Sequence, residues 1–166
     1  MEIERKWLVS DWPAGLPALY EQNMRQGYLV VNPTVRIREE QKTGEESHYI
    51  LCFKSPGTLA RKEIEMEISK EKFEEIEDLI GLPLIPKTRR TYLLPDGLKL
   101  EVNEVDRGLE TEYMYAEIEY ADEEQARTWE AQDPELRHYL SREVTEVPGQ
   151  TMGAYWIRTR LMPKRV

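Results

Sequence analysis

Apolar and polar residues alternate with a period of two through much of the chain, the mark of strands that bury one face. Eight such segments stand out: EIERKWLV (2–9), NMRQGYLVV (23–31), TVRIREEQ (34–41), HYILCFK (48–54), ARKEIEMEI (60–68), PKTRRTYLL (86–94), LKLEVNEV (98–105) and EYMYAEIEY (112–120). Turn signals at Asn32 and Pro33, Thr43 and Gly44, Ser55 to Gly57, and Pro95 to Gly97 separate several of them, which predicts mostly antiparallel neighbours. The period changes in SKEKFEEIEDLIG, where Phe73, Ile76, Leu79 and Ile80 fall at helical spacing between a capping Ser69 and a terminating Gly81. A second helix is predicted from Asp122 and Gln125 in capping-box spacing, and a third from Pro134 after Asp133. No repeat or linker divides the chain, so residues 1–166 are expected to form a single domain, with the C-terminal LMPKRV frayed.

Sorting each strand by parity shows where its charge is directed. Ile3 and Trp7 oppose Glu2, Glu4 and Lys6; Val35 and Ile37 oppose Arg36 and Arg38; Ile64, Met66 and Ile68 oppose Arg61, Glu63 and Glu65. Leu98, Leu100 and Val102 oppose Lys99, Glu101 and Asn103, while Ala116 and Ile118 oppose Glu117 and Glu119. Lys87 shares a parity with Arg89, and Lys54 with Cys52. One face therefore gathers seven basic groups (Lys6, Arg36, Arg38, Lys54, Arg61, Lys87, Arg89) and seven acidic ones (Glu2, Glu4, Glu63, Glu65, Glu101, Glu117, Glu119). A solvated sheet face would be rich in Thr, Ser, Gln and Lys. Arginine instead suits bidentate contact with phosphate, and carboxylates are hard ligands for Mg²⁺ or Mn²⁺. The expected fold is α+β: an eight-stranded antiparallel β-barrel enclosing a polar tunnel, with helices packed on its apolar outside.

Composition narrows the partners. A net charge of -9 argues against a general nucleic-acid surface, which needs a basic field. No apolar run approaches the length of a membrane span, and no leader pattern opens the chain. The single cysteine, Cys52, lies in the apolar run YILCF and has no internal disulfide partner, so a buried core thiol and a cytoplasmic location are expected. His48 and His138 lack metal-site spacing and are assigned to the surface or to packing. Trp7, Trp12, Trp129 and Trp156 are expected between barrel and helices. Tyr113 and Tyr115 share the parity of Glu117, which makes each a candidate for the tunnel wall. The Ser55–Gly57 turn is too short for a Gly-rich phosphate loop.

EIERK has the form ExExK, and further motifs follow in order: QGYL (26–29), RIR (36–38), FK (53–54), RKEIE (61–65), KTR (87–89), EVN (101–103), AEIE (116–119) and EVT (143–145). On these motifs the chain resembles the CYTH superfamily, also called triphosphate tunnel metalloenzymes, over nearly its whole length. The resemblance implies a divalent-metal-dependent triphosphatase, with inorganic tripolyphosphate as the expected substrate. It also implies that Glu2, Glu4, Glu117 and Glu119, with Glu63, Glu65 and Glu101, hold Mg²⁺ or Mn²⁺. The seven basic residues become the phosphate cradle, and Lys6, Tyr28, Arg38 and Lys87 the catalytic set, Tyr28 folding over the tunnel mouth. Alternatives are thiamine triphosphatase, nucleoside triphosphatase and adenylate cyclase, the last ranked lower because that branch carries a longer aromatic segment before its ExExK. A non-catalytic polyphosphate-binding protein is the alternative of another class. The resemblance is compatible with a homodimer. Two departures stand out: Asn103 where the family carries Asp, and VPGQTMGAYW in place of an Asn- and Ser-rich stretch after EVT.

Overall fold

A computed structural model describes residues 1–162. Nine strands form one antiparallel sheet: β1 (Glu2–Val9), β2 (Ala18–Val30), β3 (Thr34–Lys42), β4 (His48–Lys54), β5 (Ala60–Arg61), β6 (Glu63–Ile68), β7 (Ile85–Leu93), β8 (Lys99–Val105) and β9 (Tyr113–Glu119). Their order is β5-β1-β9-β8-β7-β2-β3-β4-β6. Only Lys62 separates β5 from β6, so the two ends of this order meet and the sheet curls into a nearly closed barrel.

That closure explains the ninth strand. The predicted 60–68 strand divides at Lys62 because it serves two partners, with Arg61 opposite Glu2 of β1 and Glu63 opposite Lys54 of β4. β2 also begins earlier than the predicted residue 23, since Ala18 to Gln22 already pair with β7 despite weak alternation.

The outward parities fill two apolar clusters. Ile3, Trp7, Leu100, Val102, Ala116 and Ile118 meet Ala126 of α2 (Glu123–Thr128), with Leu136 of α3 (Pro134–Tyr139) packed at the edge. Ile37 and Ile85 meet Phe73 of α1 (Lys70–Ile80) and Trp156 of α4 (Met152–Trp156). The predicted caps are present: Ser69 Oγ accepts from Lys72 N at 3.1 Å, Asp122 Oδ1 from Gln125 N at 2.7 Å, and Asp133 Oδ1 from Glu135 N at 3.2 Å. Gly81 closes α1 at φ 67°, a left-handed conformation that glycine adopts without a Cβ penalty. Trp7, Trp129 and Trp156 pack against helices as expected, and Trp12 lies at the edge of the first cluster.

Helices cover less of the barrel than expected, because Ile64 and Met66 on β6 remain 51% and 47% exposed. The chain also forms helix where none was predicted. α4 and a π-helical turn (Ile157–Leu161) follow the loop after Val144, and Gly153 lets α4 approach β2. A Cβ at Gly153 would lie 2.7 Å from Val31 Cγ1. Asp106 anchors this segment, accepting from Arg160 at 2.8 and 2.9 Å, from Thr111 at 3.1 Å and from the Tyr155 hydroxyl. Of the LMPKRV predicted to fray, Leu161 and Met162 are exposed, and residues 163–166 lie outside the described residues.

Candidate active site

The strand pleat turns one parity of every strand into the barrel. All seven cations and all seven carboxylates assigned inward line one cavity of about 540 Å³. They are sorted around its wall. Five carboxylates come from three adjacent strands, Glu2 and Glu4 on β1, Glu117 and Glu119 on β9, and Glu101 on β8. The cations Lys87 and Arg89 on β7, Arg36 and Arg38 on β3, and Lys54 on β4 stand on the other arc. Arg61, Glu63 and Glu65 occupy the closing seam, and Lys6 sits within the acidic arc opposite Glu117.

The two signs meet at the boundaries of these arcs. Lys54 Nζ lies 2.9 Å from both Glu2 oxygens and 3.3 Å from Glu63. Arg89 reaches Glu101 at 3.0 Å and Glu117 at 4.0 Å. Within each arc, like charges crowd. Burial, then Glu117 and Glu2, push the Glu4 carboxyl well above its ordinary range, and burial also raises Glu2 and Glu119. Burial works on Glu117 too, but the Glu4 hydrogen bond with Lys6, Arg89 and Lys87 holds it down, to about 2. On the basic side burial, Arg89 and Arg38 press the Lys87 ammonium well below the lysine range. Lys6 is lowered chiefly by burial. Among the described residues the buried Nε donors of Arg36 and Arg61 have no acceptor, so the cradle holds hydrogen-bond capacity that an oxyanion would satisfy.

Several residues behave differently from their sequence reading. Asn103 is fully buried, and its Oδ1 accepts from Arg89 Nε at 2.9 Å, so from behind the wall it orients an arginine that lines the cavity. Tyr28 lines the cavity; its ring lies 5.8 Å from that of Trp156 of α4, and its hydroxyl accepts from Gln26 Nε2 at 3.2 Å. Cys52 is buried and free as expected, yet it belongs to neither apolar cluster and faces Glu63 at 4.0 Å. Ligand atoms of Cys52, Glu63 and Glu65 lie within 4.8 Å of one another, and burial pushes the thiol pKa up. His48 pairs with Glu67 at the surface, and His138 is exposed.

Other lining residues escaped the sequence reading. Thr34 shares the parity of Arg36 and Arg38, a signal that was legible. Ser55 to Thr58 border the cavity as a loop although they make no Gly-rich phosphate loop. Gln150 arrives from the segment after α3, whose path no periodicity marks, and Thr145 of the EVT motif lies on the same segment. Of the two candidate tyrosines, Tyr115 lines the cavity.

Comparison with known proteins agrees with this geometry. An inorganic triphosphatase of Nitrosomonas europaea is 34% identical over 129 residues, spanning 77% of this chain and 82% of that protein. A crystal structure of the inorganic triphosphatase NE1496 aligns with a TM-score of 0.60 at 28% identity, covering 95% of both chains. The PH1819 protein from Pyrococcus Horikoshii OT3 shares the fold alone, with a TM-score of 0.58 at 23% identity over 76% of this chain and 82% of that one. The CYTH domain model matches residues 1–147, which hold every strand of the charged barrel, and the chain belongs to the CYTH domain family.

Proposed function

We propose that this protein is a metal-dependent triphosphatase that removes the terminal phosphoryl group of a compact triphosphate, inorganic tripolyphosphate foremost. The observation that carries this reading is the division of one cavity into a cationic arc and a carboxylate arc. A polyphosphate lies against Arg36, Arg38, Lys54, Arg61, Lys87 and Arg89. Glu2, Glu4, Glu117 and Glu119, with Glu63, Glu65 and Glu101, face it as metal ligands. Their all-oxygen donor chemistry and mutual crowding fit Mg²⁺ or Mn²⁺. When bound, such ions neutralise phosphate charge and acidify water.

The chain's own residues supply position and field. Arg38, Lys87 and Lys6 hold oxygens on which charge develops, in a buried site where fixed donors need little reorganisation. Tyr28 borders the same cavity with its ring against Trp156 of α4.

Phosphate release from tripolyphosphate, ATP and thiamine triphosphate, each with Mg²⁺ and with Mn²⁺, tests the reading. Activity is expected to vanish in EDTA and return with either metal, and undiminished hydrolysis in chelator overturns it. We also propose that residues 1–166 act as one unit in the cytoplasm and bind neither nucleic acid nor membrane. The free Cys52 and the net charge support this, and among the described residues no helix is long and apolar enough to cross a membrane. A homodimer would cover the exposed Ile64 and Met66. Light scattering that finds only monomer at micromolar concentration removes that proposal.

A further inference from the structure

Lys6 and Lys87 differ from Arg38, Lys54 and Arg89, the tunnel cations that are paired with carboxylates, in what holds them. Lys54 is bracketed by Glu2 and Glu63, and Arg89 by Glu101 and Glu117. Among the described residues neither Lys6 nor Lys87 has a carboxylate within ion-pair distance. Both converge instead on Tyr115, which is 1% exposed. Lys87 Nζ donates to the Tyr115 hydroxyl at 3.0 Å, and Lys6 Nζ stands 4.2 Å from the centroid of the same ring. Lys6 also donates to the Gln150 carbonyl, again a neutral partner.

We propose that Tyr115 is a positioning residue that aims both lysines into the tunnel without neutralising them. A carboxylate at this place would fix the ammonium groups equally well but would cancel the charge that the polyphosphate has to meet. A phenol separates the two effects. Its oxygen takes one of the three donors of Lys87 and leaves two for substrate. The negative face of its ring attracts Lys6 with no formal charge. Tyr115 is itself fixed by stacking on Tyr113, with ring centroids 5.7 Å apart, and Tyr113 packs on Tyr155 at 4.9 Å. The geometry of the two lysines is thus tied to the C-terminal helix.

This inference rests on the triphosphatase reading, and wild-type turnover is the control for that reading. The test is a cycle of wild type, Tyr115→Phe, Lys87→Met and the double variant, with Tyr115→Leu alongside and circular dichroism to confirm folding. Tyr115→Phe keeps the ring and drops the hydroxyl, so KM for tripolyphosphate is expected to rise roughly five- to tenfold with a smaller change in kcat. Tyr115→Leu, which also removes the face under Lys6, is expected to lose more. In the Lys87→Met background, Tyr115→Phe is expected to add almost nothing, because the hydroxyl acts through Lys87. Equal effects of Tyr115→Phe in both backgrounds, or none in either, overturn the proposal. If wild type shows no turnover, the triphosphatase reading fails by itself, and the same cycle is read as calorimetric affinity for tripolyphosphate with Mg²⁺. Additivity there, or no wild-type binding, overturns the role of Tyr115.

Discussion

At the scale of single residues, the tunnel trades stability for charge. Lys87 is 4% exposed, and its folded pKa lies well below the lysine range. The unfolded chain therefore binds more protons than the folded one between that depressed value and the ordinary one near about 10.4. By linkage, this lysine makes unfolding harder as pH rises through that window and easier as pH falls. Lys87→Met is expected to flatten that slope and to raise Tm at neutral pH by roughly 2–4 °C, while tripolyphosphatase activity falls. A lower Tm together with an unchanged slope in a pH series of thermal melts would show that burial does not strain this ammonium. The two arcs should also part kinetically. Arg38→Ala removes a charge-assisted phosphate contact worth ~1.5–3 kcal/mol, so kcat/KM is expected to drop about tenfold or more, with KM rising. Glu119→Ala is expected to lower kcat and to raise the metal concentration needed for half-maximal rate. Wild-type kinetics in both variants would mean that the inward parity carries no chemistry.

At the scale of elements, the barrel and the C-terminal segment were legible to different degrees. The inward set from Glu2 to Glu119 followed from parity alone, because a strand repeats every two residues and a barrel gives every strand the same inside. The split at Lys62 was hidden, since alternation continues across it and only the choice of partner changes. α4 was hidden for a different reason. Its five residues are too short for a helical period to show, and it is held by a distant aspartate that no local pattern links to it. Asp106 is fully buried at φ 53°, a conformation that Asp tolerates better than most residues, and it takes the Arg160 guanidinium from more than fifty positions away. Asp106→Ala strands that guanidinium in a mostly dry site and is expected to cost ~3 kcal/mol in urea unfolding. A loss below ~1 kcal/mol would mean that the segment is held by its apolar contacts instead.

At the scale of the whole molecule, charge balance and lining chemistry together set which substrate enters. Seven cations against seven carboxylates leave the tunnel formally neutral, and the chain as a whole carries -9, so the attraction for a bare polyanion is confined to the cationic arc. Divalent ions held on the carboxylate arc would tip that balance, and on the proposed reading the metal is expected to contribute to substrate recognition as well as to chemistry. Discrimination among triphosphates then depends on what else the wall can grip. A thiazolium or a nucleobase needs an aromatic or acidic platform at the entrance. Neither Trp12 nor Trp156 provides one: Trp156 of α4 is 1% exposed, Trp12 packs beside Arg90 4.1 Å from its ring, and neither borders the cavity. The aromatic residues that do border it, Tyr28 and Tyr115, are 5% and 1% exposed and already engaged with Trp156 and the two lysines. Recognition is therefore expected to fall on phosphate oxygens. Tripolyphosphate is expected to have a higher kcat/KM than ATP, whose nucleoside adds bulk without matched hydrogen bonds, and pyrophosphate is expected to be poor because it reaches fewer of the cations. Competition assays at one pH and one metal concentration decide the order. A kcat/KM for thiamine triphosphate above that for tripolyphosphate would show that the mouth contributes a cation site, and would overturn the choice of substrate while leaving the two-arc tunnel in place.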